Sequence, residues 1–268
     1  MTAIQSTPIT PRDQAFTGRE TADIESSSDE YAGRFAGPAG RWMLSVQERL
    51  TLSLLKKFGL HLNILDVGGG HGQLALPLCR EGHRVTVLGS AAVCARRLRP
   101  ALDGGGCRFL VGDVIELPFP DRSFDLAISF RLLTHCRRWA DLAGELCRVA
   151  RFGVIVDYPT SQSVNRLAPA LFAAKKKVEV NTRHWRLFTH GEVDRAFRER
   201  GFGSIRRRKQ FFFPMVVHRM LKCRPLSAGL EAGARAAGLT RLAGSPVIAR
   251  YEPDSALPSR PAVPDRNI

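Results

Sequence analysis

The sequence predicts an α/β fold, a mostly parallel sheet with helices on both faces, and three observations carry that prediction. Short apolar runs of strand length recur along the chain, at 63–67 (NILDV), 84–88 (RVTVL), 107–111 (CRFLV), 124–130 (FDLAISF) and 152–156 (FGVIV). Segments with apolar residues at helical spacing lie between them, and strands alternating with helices build a parallel sheet buried on both sides. The first run ends in three consecutive glycines, and a helical pattern (Leu74, Ala75, Leu76, Leu78) follows at once. Residues 63–78 therefore read as strand, tight turn and helix.

Taken in order, residues 1–28 are rich in Ser, Thr, Pro and acids and are expected to form a disordered tail. Residues 40–58 place Trp42, Met43, Val46, Leu50, Leu54 and Leu55 at helical spacing, with Gly59 as the stop. The stretch 29–60 is thus an N-terminal helical cap whose apolar side chains need no role beyond packing. A further helix is expected at 91–102. Gly112, Asp113 and Val114 close the third strand before a proline-marked loop, and Trp139, Leu142, Leu146 and Val149 share one face of a helix. Thr189 is placed to cap a helix over 191–200 that Gly201 ends. Strands at 205–213 and 246–251 leave 214–244 as a helical insertion, read as a lid over an acceptor site. Residues 253–268 are Pro- and Ser-rich, a second disordered tail, so one domain spans 29–252.

Composition bounds the function classes. With 44% hydrophobic residues in 268, the chain can bury a sizeable core. No stretch approaches the roughly 20 apolar residues of a membrane span, and the polar N-terminus lacks the apolar segment of a signal peptide. Six cysteines without a C-x-x-C pair indicate buried thiols in a reducing, cytoplasmic setting, with no metal site. A net charge of +15 and a pI near 10.4 suit nucleic acid, an anionic membrane or acidic substrates, and equally a solvated face. At 206–217 arginines adjoin FFFPMVV, which suits peripheral membrane contact or a lipid-like acceptor; a strand feeding a buried helix, with its arginines solvated, is the simpler account.

The glycine turn is the chemical focus. Glycine lets the backbone take positive φ and lets a ligand come close, and the following helix offers free N–H groups to an anion. Gly68 and Gly70 fit the dinucleotide fingerprint, but its sixth position is Gln73. The run D-V-G-x-G-x-G, with Asp66 inside it, resembles motif I of the class I S-adenosylmethionine-dependent methyltransferases. LDVGGGHG, then GDVIELPFPDRSFDLAISF, then ELCRVAR follow one another as in the type 11 group, related to ubiquinone and menaquinone biosynthesis enzymes. The resemblance covers 64–157. It implies a Rossmann-like seven-stranded sheet in the order 3-2-1-4-5-7-6 with an antiparallel last strand. It also implies S-adenosylmethionine as cofactor and a small-molecule O- or C-acceptor that is quinone-, lipid- or phenol-like.

Carried over residue by residue, the resemblance assigns Asp66, Gly68, Gly70 and Gly72 to the amino-acid end of the cofactor. It assigns Asp113 and Val114 to the adenine, and Phe130 and Arg131 to the wall that closes over it. The family normally ends its second strand in an acid for the ribose hydroxyls; here Gly89 stands in that place, with Ser90 as the nearest replacement. Candidates for a general base are His135, Asp157, Tyr158 and His218. Asn165, Arg183, Trp185, Gln210, His218 and Arg219 are nominated for the acceptor pocket or lid. Three competing readings stay open: a non-catalytic scaffold that lost ribose recognition, an RNA methyltransferase, and a nicotinamide oxidoreductase. Gln73 and the missing acid disfavour the last, and no base-reading motif supports the second.

Overall fold

In the computed structural model, which describes residues 19–164 and 185–254, seven strands form one sheet in the order β3-β2-β1-β4-β5-β7-β6. They are β1 (Asn63–Val67), β2 (Arg84–Gly89), β3 (Cys107–Val111), β4 (Phe124–Ser129), β5 (Ala150–Tyr158), β6 (Ser204–Phe211) and β7 (Ser245–Glu252). The first five run parallel, and β7 is antiparallel to both β5 and β6. That is the order and direction the resemblance implies. Successive residues of a strand face opposite sides, and both sides here are covered. Ile64, Leu126 and Ile128 join Leu54 and Leu78 on one side; Leu65, Val67 and Ala127 join Leu142 and Leu146 on the other. A strand buried on both faces must be largely apolar, which is why the runs of the central strands β1, β4 and β5 look continuous; the edge strand β3 leaves Leu110 and Val111 exposed.

Ten helices are described: α1 (Ala22–Ser26), α2 (Asp29–Gly33), α3 (Gly37–Leu55), α4 (Ala75–Arg80), α5 (Arg99–Asp103), α6 (Trp139–Val149), α7 (His190–Arg198), α8 (Met215–Leu221), α9 (Arg224–Ala236) and α10 (Leu239–Ala243). The cap helix α3 starts earlier than its apolar spacing suggests, because Pro38 in its first turn needs no amide partner. The single helix expected at 91–102 is instead a 3-10 stretch (Ala92–Leu98) followed by α5, with Pro100 at the junction. Thr189 caps α7 as expected, accepting the Glu192 N–H at 3.2 Å. β5 runs on through Asp157 and Tyr158, so both project from a strand end rather than a loop. No helix among the described residues is long and apolar enough to cross a membrane.

Residues 19–28 correct the expected N-terminal tail. Glu20, Asp23, Ser26 and Ser27 are buried, and the Ser28 hydroxyl accepts the Tyr31 N–H at the start of α2. The segment is polar because its side chains bond to the carboxyl ends of the strands, not because they are solvated. The insertion at 214–244 folds as α8, α9 and α10, and α8 and α9 pack with β6 against α3. Of its aromatic entry Phe211 turns inward, and Phe212 and Phe213 are half-buried. Phe211 is buried with its ring centroid 5.4 Å from Trp42, while the N–H groups of Phe212 and Phe213 both go to Glu231 at 2.9 Å. Arg206 and Arg208 remain exposed on β6.

Candidate active site

The carboxyl ends of β1, β4 and β5 converge under the N-terminal cap, the place where open α/β sheets take their ligands. Gly68 leaves β1 in the left-handed region (φ 75°), and a Cβ there would lie 2.9 Å from Leu132 Cδ2. A side chain at Gly70 would collide with the Cys94 carbonyl and the Ser27 hydroxyl. Asp66 is 2% exposed with Oδ1 unpartnered, and burial pushes its carboxyl up to about 7 against the opposing pull of Arg131. His71 in the turn is held down to about 3 by burial, then by Arg131 and Arg97. Its ring stands edge-on to Tyr31 and Phe35 at 6.3 and 6.1 Å.

Buried polar atoms without a partner gather on this turn: Asp66 Oδ1, both ring nitrogens of His71, Gln73 Oε1, Ser27 Oγ and Arg131 Nη1. Such atoms cost about 1–3 kcal/mol each when left dry. A ligand end bearing an ammonium and a carboxylate would satisfy the acid and the guanidinium together, so the residues present fit the amino-acid end of the expected cofactor.

A polar chain ties the cap to this floor. Asp157, at the end of β5, accepts the Arg131 N–H at 2.5 Å and the Gln47 Nε2–H of α3 at 2.8 Å. Gln73 Nε2 in turn donates to Gln47 Oε1. Arg131 holds a left-handed backbone (φ 59°) unusual for a residue with a side chain, and the Asp157 bond fixes it there. Its guanidinium lies over the Phe35 and Tyr31 rings at 5.1 and 5.5 Å. Burial pushes the Asp157 carboxyl up to about 6, while the Arg131 amide and cation and Gln47 pull the other way.

The remaining predicted residues are dispersed more widely. Asp113 is half-buried after β3 and accepts the Ile115 N–H at 3.0 Å; Val114 beside it is fully buried. Phe130 packs into the core beside Leu54 and Ile128. Ser90 gives both its N–H and its hydroxyl to Asp23 of α1. Tyr158 is fully buried, its hydroxyl shared with His190 Nδ1 at 2.9 Å and Arg207 at 3.4 Å, and burial raises its pKa. His218 is also fully buried, 3.1 Å from Glu231 within the insertion. His135 is half-buried in the turn after Leu132. Of the acceptor nominees, Gln210 is buried with Nε2 unpartnered, Trp185 is 56% exposed, Arg219 is exposed, and Asn165 and Arg183 lie outside the described residues. Among the described residues no group of three His, Cys, Asp or Glu is placed to hold a metal.

Sequence reasoning missed Asp23, Ser27, Tyr31 and Gln47. Gln47 had a signal, a lone polar residue on the apolar stripe of α3. Ser28 followed by Asp29 and Glu30 is a helix-start pattern that argued against a tail.

Comparison with known proteins agrees with this geometry. Residues 65–156 match the type 11 family model described as a methyltransferase domain. A curated relative, malonyl-[acyl-carrier protein] O-methyltransferase of Pectobacterium atrosepticum, is 26% identical over 66% of this chain and 69% of its own. Among solved structures, a SAM-dependent methyltransferase from Thermotoga maritima superposes with a TM-score of 0.57 at 18% identity, covering 87% of this chain and 98% of that one. Magnesium protoporphyrin IX methyltransferase from Synechocystis, solved with bound SAH, gives 0.57 at 13% identity, covering 85% and 97%.

Proposed function

We propose that this chain, which carries a type 11 methyltransferase domain over 65–156, is a class I S-adenosylmethionine-dependent methyltransferase that methylates an oxygen or carbon of a small, phenol-, quinone- or lipid-like acceptor held between the cap helix α3 and the insertion. The observation that carries the reading is the group of unpartnered buried polar atoms on the glycine turn, roofed by α3. The sulfonium supplies an already activated methyl group, so the protein has mainly to align two reactants and exclude water. Alignment of that kind lowers a barrier by about 7–11 kcal/mol. An oxygen acceptor is also what the name of the Pectobacterium relative states for that protein.

Among the four candidate bases, Asp157 suits the task best. Its carboxyl, pushed to about 6, is ionised at neutral pH yet basic enough to take a phenol or enol proton. Both Asp157 oxygens accept bonds, from Arg131 and Gln47, yet each keeps a second lone pair for a proton, whereas Tyr158 and His218 are fully buried away from the glycine turn beside His190 and Glu231. Asp66, Gly68, Gly70, Gly72 and Arg131 would meet the amino-acid end of the cofactor, and Asp113 with Val114 the adenine.

The test is a methyl-labelled S-adenosylmethionine assay over phenols, hydroquinones and acyl carboxylates, read as acceptor-dependent release of S-adenosylhomocysteine. Turnover of one class that fails in Asp157→Asn supports the reading. Cofactor binding with no acceptor-dependent release across all three classes would overturn it in favour of a binding protein that keeps the fold.

A further inference from the structure

We propose that Asp23 of α1 is the carboxylate that holds the ribose hydroxyls of S-adenosylmethionine in this chain, and that residues 19–28 form a strap closing over the bound cofactor. The proposal rests on the methyltransferase reading above. It starts from the place that lacks an acid. β2 ends in Gly89, and a Cβ there would lie 2.9 Å from Cys94 Cβ and 3.0 Å from the Phe109 ring, so the space a side chain would use is already filled. An acid at the end of β2 has no room.

A carboxylate is nevertheless present, delivered from elsewhere. Asp23 is fully buried and lies against the first glycine of the turn, its Cβ 3.5 Å from the Cβ position of Gly68. Its Oδ2 accepts the Ser90 N–H at 2.7 Å and the Cys94 thiol at 3.3 Å, and its Oδ1 accepts the Ser90 hydroxyl. The carboxylate therefore sits in the crevice between the ends of β1 and β2. The backbone N–H fixes one oxygen; the other is matched by a hydroxyl on a freely rotating side chain. A ribose hydroxyl is a donor of the same kind, and on Oδ1 it would take the place of Ser90 Oγ, which then turns away.

The rest of the segment is built to close. Arg19 donates to the Gly112 carbonyl at 2.9 Å, at the end of β3. Glu20 accepts the Arg138 N–H at 2.7 Å, just before α6. Ser27 stands against Gly70. Three hydrogen-bonded anchors, with Ser27 packed beyond them, thus span the mouth of the crevice from β3 to the glycine turn. With Asp23 seated and fully buried, a cofactor enters only when this strap lifts, and the strap settles again with the ribose beneath it.

Calorimetry with S-adenosylhomocysteine and its 2′-deoxy counterpart tests this on the full chain. Asp23→Asn should bind S-adenosylhomocysteine about tenfold more weakly than wild type. Removing the 2′-hydroxyl should cost wild type about tenfold, and Asp23→Asn less than about twofold, because the two changes delete one contact. A cooperative thermal transition guards against a folding defect in Asp23→Asn, and the deoxy penalty of wild type tests the contact without any variant. Amide exchange over 19–28 should slow when S-adenosylhomocysteine is added. An Asp23→Asn variant that binds as well as wild type or tighter would make the segment a mere plug and overturn the proposal. So would an undiminished deoxy penalty in that variant, or wild type that binds the 2′-deoxy compound as tightly as S-adenosylhomocysteine. Failure of wild type to bind S-adenosylhomocysteine at all would instead sink the methyltransferase reading itself.

Discussion

Asp66→Asn should stabilise the ligand-free protein while weakening its hold on the cofactor. The carboxyl is buried, has an unpartnered oxygen, and stands at about 7 against 3.8 for an unburied aspartate. Below pH 3.8 the folded and unfolded chains both carry the proton. Between there and about 7 the folded chain keeps a proton that the unfolded chain has lost, so stability falls as pH rises; above about 7 the loss is complete. At about 1.4 kcal/mol per pH unit the gap amounts to roughly 4 kcal/mol. Asparagine has nearly the same shape and no charge. In urea titrations the variant should match wild type near pH 4, gain on it through pH 7, and stay about 4 kcal/mol ahead at pH 8. Asp157 titrates in both proteins, so the difference isolates Asp66. S-adenosylhomocysteine should bind wild type at pH 6 with release of a proton, read as a buffer-dependent binding enthalpy, and the variant without one. Parallel stability profiles from pH 4 to 8 would show that Asp66 is solvated or already paired, and would refute the reasoning.

Further outcomes follow from the same geometry. Asp113→Ala should weaken S-adenosylhomocysteine binding about tenfold by calorimetry, with little change in melting temperature, since the carboxylate supports only the local Ile115 N–H. Once an acceptor is known, turnover should rise with pH through about 6 and level off above it, because Asp157 must be ionised to accept a proton. Asp157→Asn should lose most of its turnover at saturating cofactor, and a variant with wild-type kcat would return the base role to His135. Tyr158→Phe should cost about 1–3 kcal/mol in urea unfolding by removing the partner of His190 Nδ1, while Arg207 keeps Asp194, and should leave the pH profile of turnover unmoved.

How far the sequence could be read follows from where the information lies. The sheet was legible because parallel strands are buried on both faces, so runs such as FDLAISF and NILDV announce themselves, and the glycine turn marks where they lead. Helix and strand limits shifted by a few residues wherever local chemistry overrode periodicity, as with Pro38 and Pro100. The turn after β1 was legible because its backbone demands glycine. The roof was not. Gln47, Tyr31 and Asp23 act across 26 to 110 residues of chain, and a polar side chain bonded to a distant strand end looks the same in sequence as one facing water. The acidic, serine-rich stretch before α2 was read as tail for that reason, although Glu20 and Asp23 are among the most buried acids of the described residues.

The position of β7 has a consequence for synthesis. The strand latest in the sequence is inserted between β5 and β6. Until residue 252 has emerged from the ribosome, β5 offers an unpaired apolar edge and β6 has no partner at all. The nascent chain must therefore hold a six-strand set with a gap until β7 arrives, and exposed edges invite association with other chains. Arginines at 206 and 208 face outward on β6 and discourage such pairing. Ribosome-stalled chains ending before residue 245 should bind holdase chaperones, and chains carried past 252 by a linker long enough to clear the exit tunnel should release them.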